Sequence, residues 1–228
     1  MSLWPIIKVM FEGLRIRPYR AEDRESLLKI AADTAFFGEA VEKFIEDRRI
    51  FLDAFYLYYT DYEPQHSWVA VCNEQVVGFL TGCYDTRLQR EYTGKVLEKR
   101  ALKKVLTGKY RLGKKFLRYL FRYWMSKMIF EKTAVDLTQY PAHFHINVES
   151  KWRGQGIGRN LIETYLKHLE KDGICGVHLQ TTSFNKVAVG LYEKMGFKLL
   201  SSVPSYLWQS LVNEPIYELT YGKILLLR

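Results

Sequence analysis

The chain has 228 residues, 48% of them hydrophobic and 15% aromatic, with a formal net charge of +9. That composition supplies a substantial core, and no apolar run reaches the roughly 18 residues that would signal a transmembrane helix. The charge is concentrated: Thr86 to Lys132 holds 15 Lys and Arg against 3 Glu, while the remainder carries 19 basic and 22 acidic residues, which excludes a uniformly basic nucleic-acid binder.

Met1 to Lys8 lacks the basic region and long apolar stretch of a signal peptide. Leu14-Arg15-Ile16-Arg17 alternates as a strand and runs into Pro18, which suits an opening edge strand. Asp23 can cap a helix whose apolar stripe, Leu27, Leu28, Ile30 and Ala31, lasts to about Ala35. Phe36-Phe37-Gly38 breaks it, and a second helix is expected from Glu39 to about Arg49, with helix or irregular structure through Tyr59. The aromatic tract Phe55 to Tyr59 reads as packing. Trp68 to Cys72 and Gln75 to Cys83 flank Asn73-Glu74 as a hairpin. Between Thr86 and Gln139, apolar residues at helical spacing predict a helical insertion broken around Gly108 and Gly113. Then follow a strand, Ala142 to Glu149, a helix, about Ile157 to Lys171, ended by Asp172-Gly173, and a buried strand, Gly176 to Thr181. A short helix, Lys186 to Met195, stops at Gly196; a strand starts at Phe197 and a last one covers about Ile216 to Leu226. Cys72, Cys83 and Cys175 read as small core residues of a reducing compartment, with no disulfide set and no metal site, so a cytoplasmic location is expected.

Arg153-Gly154-Gln155-Gly156-Ile157-Gly158 stands between the strand at Ala142 and the following helix. Glycines let successive N–H groups converge, and the helix adds its unpaired N-terminal donors and positive dipole end, an arrangement that binds phosphates. The dinucleotide pattern G-x-G-x-x-G fails because Arg159 takes the place of its third glycine, and no Gly-Lys-Ser/Thr closes a P-loop. What remains, R-x-x-G-x-G, resembles the pyrophosphate loop of the GNAT acyltransferase superfamily. Ile146-Asn147-Val148 resembles that family's coenzyme-pairing strand. Asn185, Ala188, Leu191-Tyr192 and Met195-Gly196-Phe197 resemble its N-x-x-A-x-x-x-Y-x-x-x-G-F stretch.

The resemblance implies an α/β (α+β) GNAT-like acyl-CoA N-acyltransferase fold, a mixed and mostly antiparallel sheet with one parallel pairing, flanking helices and the insertion. Residues 1–228 are read as one domain with a basic helical insertion at about 86–139. It implies acetyl-CoA as acyl donor and two parallel strands, Ala142 to Glu149 and Cys175 to Thr181, that splay apart around the pantetheine arm. Backbone groups of Ile146, Asn147 and Val148 would pair with the arm; Arg153, Gly154, Gln155, Gly156, Ile157, Gly158 and Arg159 would hold the pyrophosphate. Tyr192 would lie near the sulfur as general acid, a role its ordinary pKa of about 10 suits, or would fill the helix–sheet interface. Asn185 would cap its helix, contact the pantetheine or do both.

For the base three candidates stay open, His143, His145 and Glu149, which share one strand parity. The H-x-H pair resembles one in arylalkylamine N-acetyltransferases but sits one residue closer to the arginine loop, and a one-residue slip turns side chains over. His178 and His66 read as structural. No cysteine has an evident base beside it, so transfer is expected to be direct, without an acyl-enzyme. Thr34, Phe36, Phe37 and Glu39 are candidate walls for the acceptor, a primary amine on a small molecule or protein, though Phe36 and Phe37 could equally be core.

Two departures from the pattern matter. Ser150 replaces a common proline, and Tyr140 to Val148 also resembles the acetyltransferase-like modules of O-GlcNAc-removing hydrolases, so the alternative is a catalytically silent acyl-CoA-binding or protein-interaction module. The insertion stretch Lys114 to Trp124 has three readings: a solvated helix pair, a cationic lid over an anionic acceptor or the coenzyme phosphates, or a contact for a membrane surface or nucleic acid. A homodimer stays open.

Overall fold

The computed structural model describes residues 13–129, 135–208 and 214–225. The Met1 to Lys8 reading, the 130–134 part of the insertion and the end of the last strand at Leu226 lie outside them. Seven strands form one sheet: β1 (Arg15–Pro18), β2 (Ser67–Cys72), β3 (Gln75–Cys83), β4 (Ala142–Val148), β5 (Gly176–Thr182), β6 (Lys198–Pro204) and β7 (Tyr217–Ile224), in the order β1-β2-β3-β4-β5-β7-β6. Every neighbouring pair is antiparallel except β4–β5. The β2–β3 hairpin turns at Asn73 (φ 47°) and Glu74 (φ 61°), both left-handed, as a tight two-residue connection between right-twisted strands requires.

Helix α6 (Ile157–Lys171) crosses over between the two parallel strands. Its residues Leu161, Ile162, Tyr165, Leu166 and Leu169 recur at helical spacing and are buried against Trp68, Leu80, Phe144 and Leu179 of the sheet. Asp172-Gly173, with Gly173 at φ +73°, ends the helix, and the Ile174 N–H returns to the Leu169 carbonyl at 3.0 Å. Helix α7 (Lys186–Lys194) shares this face. On the opposite face lie α1 (Arg24–Asp33) and α2 (Arg48–Phe55), whose Leu27, Ile30 and Phe51 pack with Val69, Val71 and Phe79. Strands β2 and β3 are therefore covered on both sides, which explains their unbroken apolar runs.

The expected helix from Glu39 to Arg49 does not form. A single 3-10 turn covers Val41–Lys43, and the helix begins at Arg48. Phe37 (φ 55°) and Gly38 (φ 80°) turn the chain, and the Asp47 carboxylate caps α2 by accepting from the Arg49 N–H at 3.0 Å. A side chain committed to a cap sits outside its helix. Cys72 and Cys83 are buried as expected, whereas Cys175 is half-buried just before β5.

The insertion holds α3 (Thr86–Tyr92), which passes through a π turn into α4 (Glu98–Leu106), and then α5 (Lys114–Ile129) after a break at Gly108 to Gly113. Three acids tie it to the α2 region. Asp47 accepts from the Arg111 N–H at 3.0 Å, Glu46 caps α5 by accepting from Lys115 and Phe116 N–H at 2.8 and 3.0 Å, and Asp53 pairs with Lys104 and the Tyr110 hydroxyl.

Where β3, β4 and α6 meet, the Tyr165 hydroxyl lies 2.9 Å from the Cys83 carbonyl and 3.0 Å from that of His143. A Cβ on Gly82 would stand 2.4 Å from this hydroxyl. The phenol is buried and cannot withdraw, so Gly82→Ala should lower unfolding free energy by about 1–3 kcal/mol in denaturant titration, as overpacked cores do. A cost near zero would contradict the packing described.

Candidate active site

The parallel pair is only two residues long. Ala142 faces Val177 and His143 faces His178; beyond them β4 continues with β3 as far as Val148, and β5 continues with β7 as far as Thr182. A wedge opens between Phe144–Val148 and Leu179–Thr182. The Glu149 N–H bonds the Val77 carbonyl at 3.0 Å, so the odd-numbered residues of β4 turn their backbone toward β3. Ile146 and Val148 turn theirs into the wedge, whereas the backbone of Asn147 belongs to the β3 ladder. The Val148 carbonyl accepts from Arg153 Nε at 3.0 Å.

The glycine loop closes the wedge at its Val148 end. Gly154 and Gly156 have φ of +76° and +78°, and a Cβ on either would meet nothing within 4 Å. Glycine is needed there for backbone conformation alone. Gly156 opens α6 without a side-chain cap, and the first helical bond runs from the Asn160 N–H to the Gly156 carbonyl at 3.0 Å. The N–H groups of Gly156, Ile157, Gly158 and Arg159 therefore lack intrahelical partners. A Cβ on Gly158 would find ordinary contacts with Leu191 and Ile146 at 3.6 and 3.7 Å, which marks close packing of α6 at the wedge rim. Gln155 leaves Oε1 buried without a partner, as Trp152 does Nε1. Arg159 is held away by Glu163 at 2.9 Å. The Arg153 guanidinium also fills the space beside Gly38, where a Cβ would lie 2.6 Å from Nη1.

Across the wedge, Asn185 caps α7 by accepting from the Ala188 N–H at 3.4 Å. Tyr192 is buried among Phe144, Phe197 and Tyr221, with ring centroids 6.4, 6.0 and 6.2 Å away. Burial pushes its phenol pKa up, so the hydroxyl keeps its proton at neutral pH.

His143, His145 and Asn147 point to the α1–α2 side of the sheet. The Tyr59 hydroxyl sits between the imidazoles, 2.5 Å from His143 Nε2 and 3.2 Å from His145 Nε2. His143 is only 8% exposed, with Thr86 Oγ1 2.8 Å and Cys83 Sγ 3.2 Å from its Nδ1, so both ring nitrogens are engaged. Burial and the neighbouring imidazoles hold its pKa well below the ordinary value; burial and His178 lower that of His145 to about 4. His178, ring to ring with His143 at 5.6 Å, has Nδ1 2.9 Å from the Tyr140 carbonyl. Glu149 stands apart at the loop end, paired with Lys151 at 3.2 Å, and is four residues, or roughly 13 Å of strand, from His145.

The Cys83–His143 contact corrects the expectation that no cysteine has a base beside it. Burial nevertheless pushes the Cys83 thiol up to about 12, and the residue is fully buried, so it is poorly placed to become a nucleophilic thiolate.

The candidate acceptor residues divide. Thr34 Oγ1 donates to the Ile30 carbonyl at 2.7 Å and accepts from Asn147 Nδ2 at 2.7 Å, while Tyr56 donates to Asn147 Oδ1 at 3.3 Å. Phe36 is locked in an aromatic cluster, 4.7 Å from Trp208 and 5.0 Å from Phe44 between centroids. Phe37 bridges Trp208 and Phe184, at 5.2 and 5.4 Å, near the start of α7. Glu39 pairs with Lys43 at 2.7 Å. Tyr59, Thr86, Cys83 and Trp208 were not among the expected site residues. Only the aromatic tract around Tyr59 carried any signal, and it read as packing.

Residues 110–197 match the family described as "Acetyltransferase (GNAT) family". N-acetyltransferase 8B of Homo sapiens is 36% identical over 70 residues, which are 31% of this chain and 31% of that protein. The chain spans about a third or less of the length of the curated relatives it matches. The crystal structure of SsHAT aligns over 94% of this chain and 99% of its own, with a TM-score of 0.69 and 28% identity. That of yncA from Salmonella typhimurium, with its cofactor acetyl-CoA, aligns over 95% of this chain and 96% of its own at a TM-score of 0.56 and 14% identity, a likeness of fold. Parted strands, glycine loop, family match and a fold shared along its length agree: the chain has the fold of the GNAT acetyltransferases, and its residues 110–197 match that family.

Proposed function

We propose that this protein transfers an acetyl group from acetyl-CoA directly to a primary amine carried by a small molecule or a protein. The observation that supports this most is the wedge: two parallel strands part after two residue pairs, directly above a left-handed glycine loop that opens a helix. An extended, amide-bearing arm suits the unpaired backbone of Ile146 and Val148. Its linked phosphates suit the N–H groups of Gly156, Ile157, Gly158 and Arg159, with Arg153 and Gln155 at the loop's edge.

The amine nitrogen attacks the thioester carbonyl carbon, the carbon–sulfur bond breaks, and the thiolate takes a proton. Tyr192 is our candidate donor, since its buried phenol stays protonated and lies beside Phe144 on the wedge wall. His145 is our candidate acceptor of the amine's proton. It is half-buried and neutral at pH 7, whereas His143 has both nitrogens engaged and Glu149 is bound to Lys151 at the far end of the strand. Tyr59 joins the two imidazoles and positions them. Thr34, Phe37 and Glu39 flank the side from which the amine enters, with Phe36 as their packed support.

Tyr192→Phe should reduce turnover by about 10²-fold or more with coenzyme affinity nearly unchanged, read by thiol release across an amine panel and by calorimetry. Unchanged turnover would remove Tyr192 from this role. Gly156→Ala forces a left-handed alanine and should weaken acetyl-CoA binding about tenfold. No measurable affinity of the unaltered protein for any CoA thioester would overturn the assignment.

The buried histidines carry a pH consequence. His145 titrates at about 4 in the fold and near 6.5 when exposed, so the unfolded chain binds the proton first as pH falls. Its contribution to stability is complete above about pH 6.5 and is lost progressively down to about 4. His66, lowered to about 4 by burial, adds to the same window. Thermal midpoints should therefore drop between these pH values, and His145→Gln should make the drop shallower without removing it. An unaltered slope in that variant would mean that His145 is not held neutral by the fold.

A further inference from the structure

Helix α5, KKFLRYLFRYWMSKMI, carries five Lys and Arg and no acid. Phe116 and Tyr119 face the protein and pack beside Phe36, Phe51 and Trp208. Leu117, Leu120, Phe121, Trp124 and Met128 do not. They recur at i, i+3, i+4, i+7 and i+11, which on a helix confines them to an arc of about 100°. All five are exposed, at 61, 46, 62, 61 and 66%, and none joins an apolar cluster of the described residues. Leu106 and Leu112, on the stretch leading into the helix, are exposed as well. Beside this arc run Lys114, Arg118 and Arg122, for which no ion pair exists among the described residues. Lys115 donates to the Glu42 carbonyl.

An apolar arc of this size needs an occupant, and charge selects it. A second copy of the chain would bring two such cationic rows together inside a segment that already holds 15 basic and 3 acidic residues. An anionic bilayer supplies hydrocarbon for the arc and negative headgroups for the row. The helix, with five cations, lies on a bilayer rather than across it, and no described helix is long and apolar enough to cross. Trp124 and Phe121 are side chains that favour the headgroup–acyl boundary.

We propose that α5 is a peripheral docking helix that lays Leu117, Leu120, Phe121, Trp124 and Met128 into the surface of an anionic membrane, with Arg118 and Arg122 among the headgroups. Because Tyr119 on its other side braces Phe36 and Trp208, docking would turn the acceptor side of the protein toward the bilayer.

The test is sedimentation of the full chain with sucrose-loaded vesicles of phosphatidylcholine, alone or with about 30 mol % phosphatidylserine. We expect binding to the anionic vesicles only, weakening as salt rises from about 50 to about 500 mM. Phe121→Ser with Trp124→Ser should weaken it at least about tenfold, and Arg118→Gln with Arg122→Gln about twenty-fold. Thermal midpoint and acetyl-CoA affinity should stay as they are in both pairs, because the altered residues are on the surface; this separates a docking failure from a failure of the acetyltransferase reading. The proposal is overturned by no sedimentation with anionic vesicles at low salt, or by binding that survives the Phe121/Trp124 change. It is equally overturned if that change instead dissolves a concentration-dependent dimer, since the arc would then be an interface between copies.

Discussion

A sheet interior has no surplus backbone groups. Each buried N–H and C=O must meet a partner, and a strand that leaves its neighbour exposes a row of them. Here β4 and β5 separate after Ala142↔Val177 and His143↔His178, in the middle of a sheet that is otherwise paired on both outer sides. At one end the Tyr165 hydroxyl takes up the Cys83 and His143 carbonyls where β3 meets β4, and at the far end the Arg153 guanidinium takes up the Val148 carbonyl. Between those two points the backbone of Ile146 is left for something that brings amides of its own. In the proposed reading the loop and the helix N-terminus take their meaning from that gap.

The two faces of β4 then divide the work. Even-numbered residues, Phe144, Ile146 and Val148, turn side chains into the core under α6 and α7. Odd-numbered ones carry the imidazoles and Asn147 to the other face, where Tyr59, Tyr56 and Thr34 meet them. In the proposed reading one strand thus serves coenzyme and acceptor at once. The imidazole-bearing face is backed by α2, to which the insertion is fastened through Glu46, Asp47 and Asp53. This is why a segment so rich in cations remains attached to the fold along one side while presenting its free side to solvent.

What could be read in advance followed range. The run from Ala142 to Lys171 announces itself locally: alternation, then glycines, then Leu161, Ile162, Tyr165 and Leu169 at helical spacing. The hairpin at Asn73-Glu74 was equally plain. The contact between Tyr59 and His143 spans 84 residues, and that between Thr86 and His143 spans 57, so no periodicity reports either. The expected helix at Glu39 failed for a nearer reason. Asp47 is a good cap, and a cap inside a supposed helix argues that the helix starts there. Phe36 read as either wall or core; its four aromatic neighbours come from four separated stretches of chain and make it core.

Burial sets the protonation states in this site, and it acts in opposite directions on the two proposed partners. Removing water penalises whichever form is charged, so the Tyr192 phenol rises and the His145 imidazole falls. Both groups therefore wait in neutral form, one able to give a proton and the other able to take one. Acetyl transfer from a thioester to a neutral amine begins and ends with neutral species, so surroundings that favour neutral groups do not oppose it. They do oppose entry of an ammonium ion. In the proposed reaction the proton that makes an amine cationic in water would leave where the acceptor meets His145, whose Nε2 lies 3.2 Å from the Tyr59 hydroxyl.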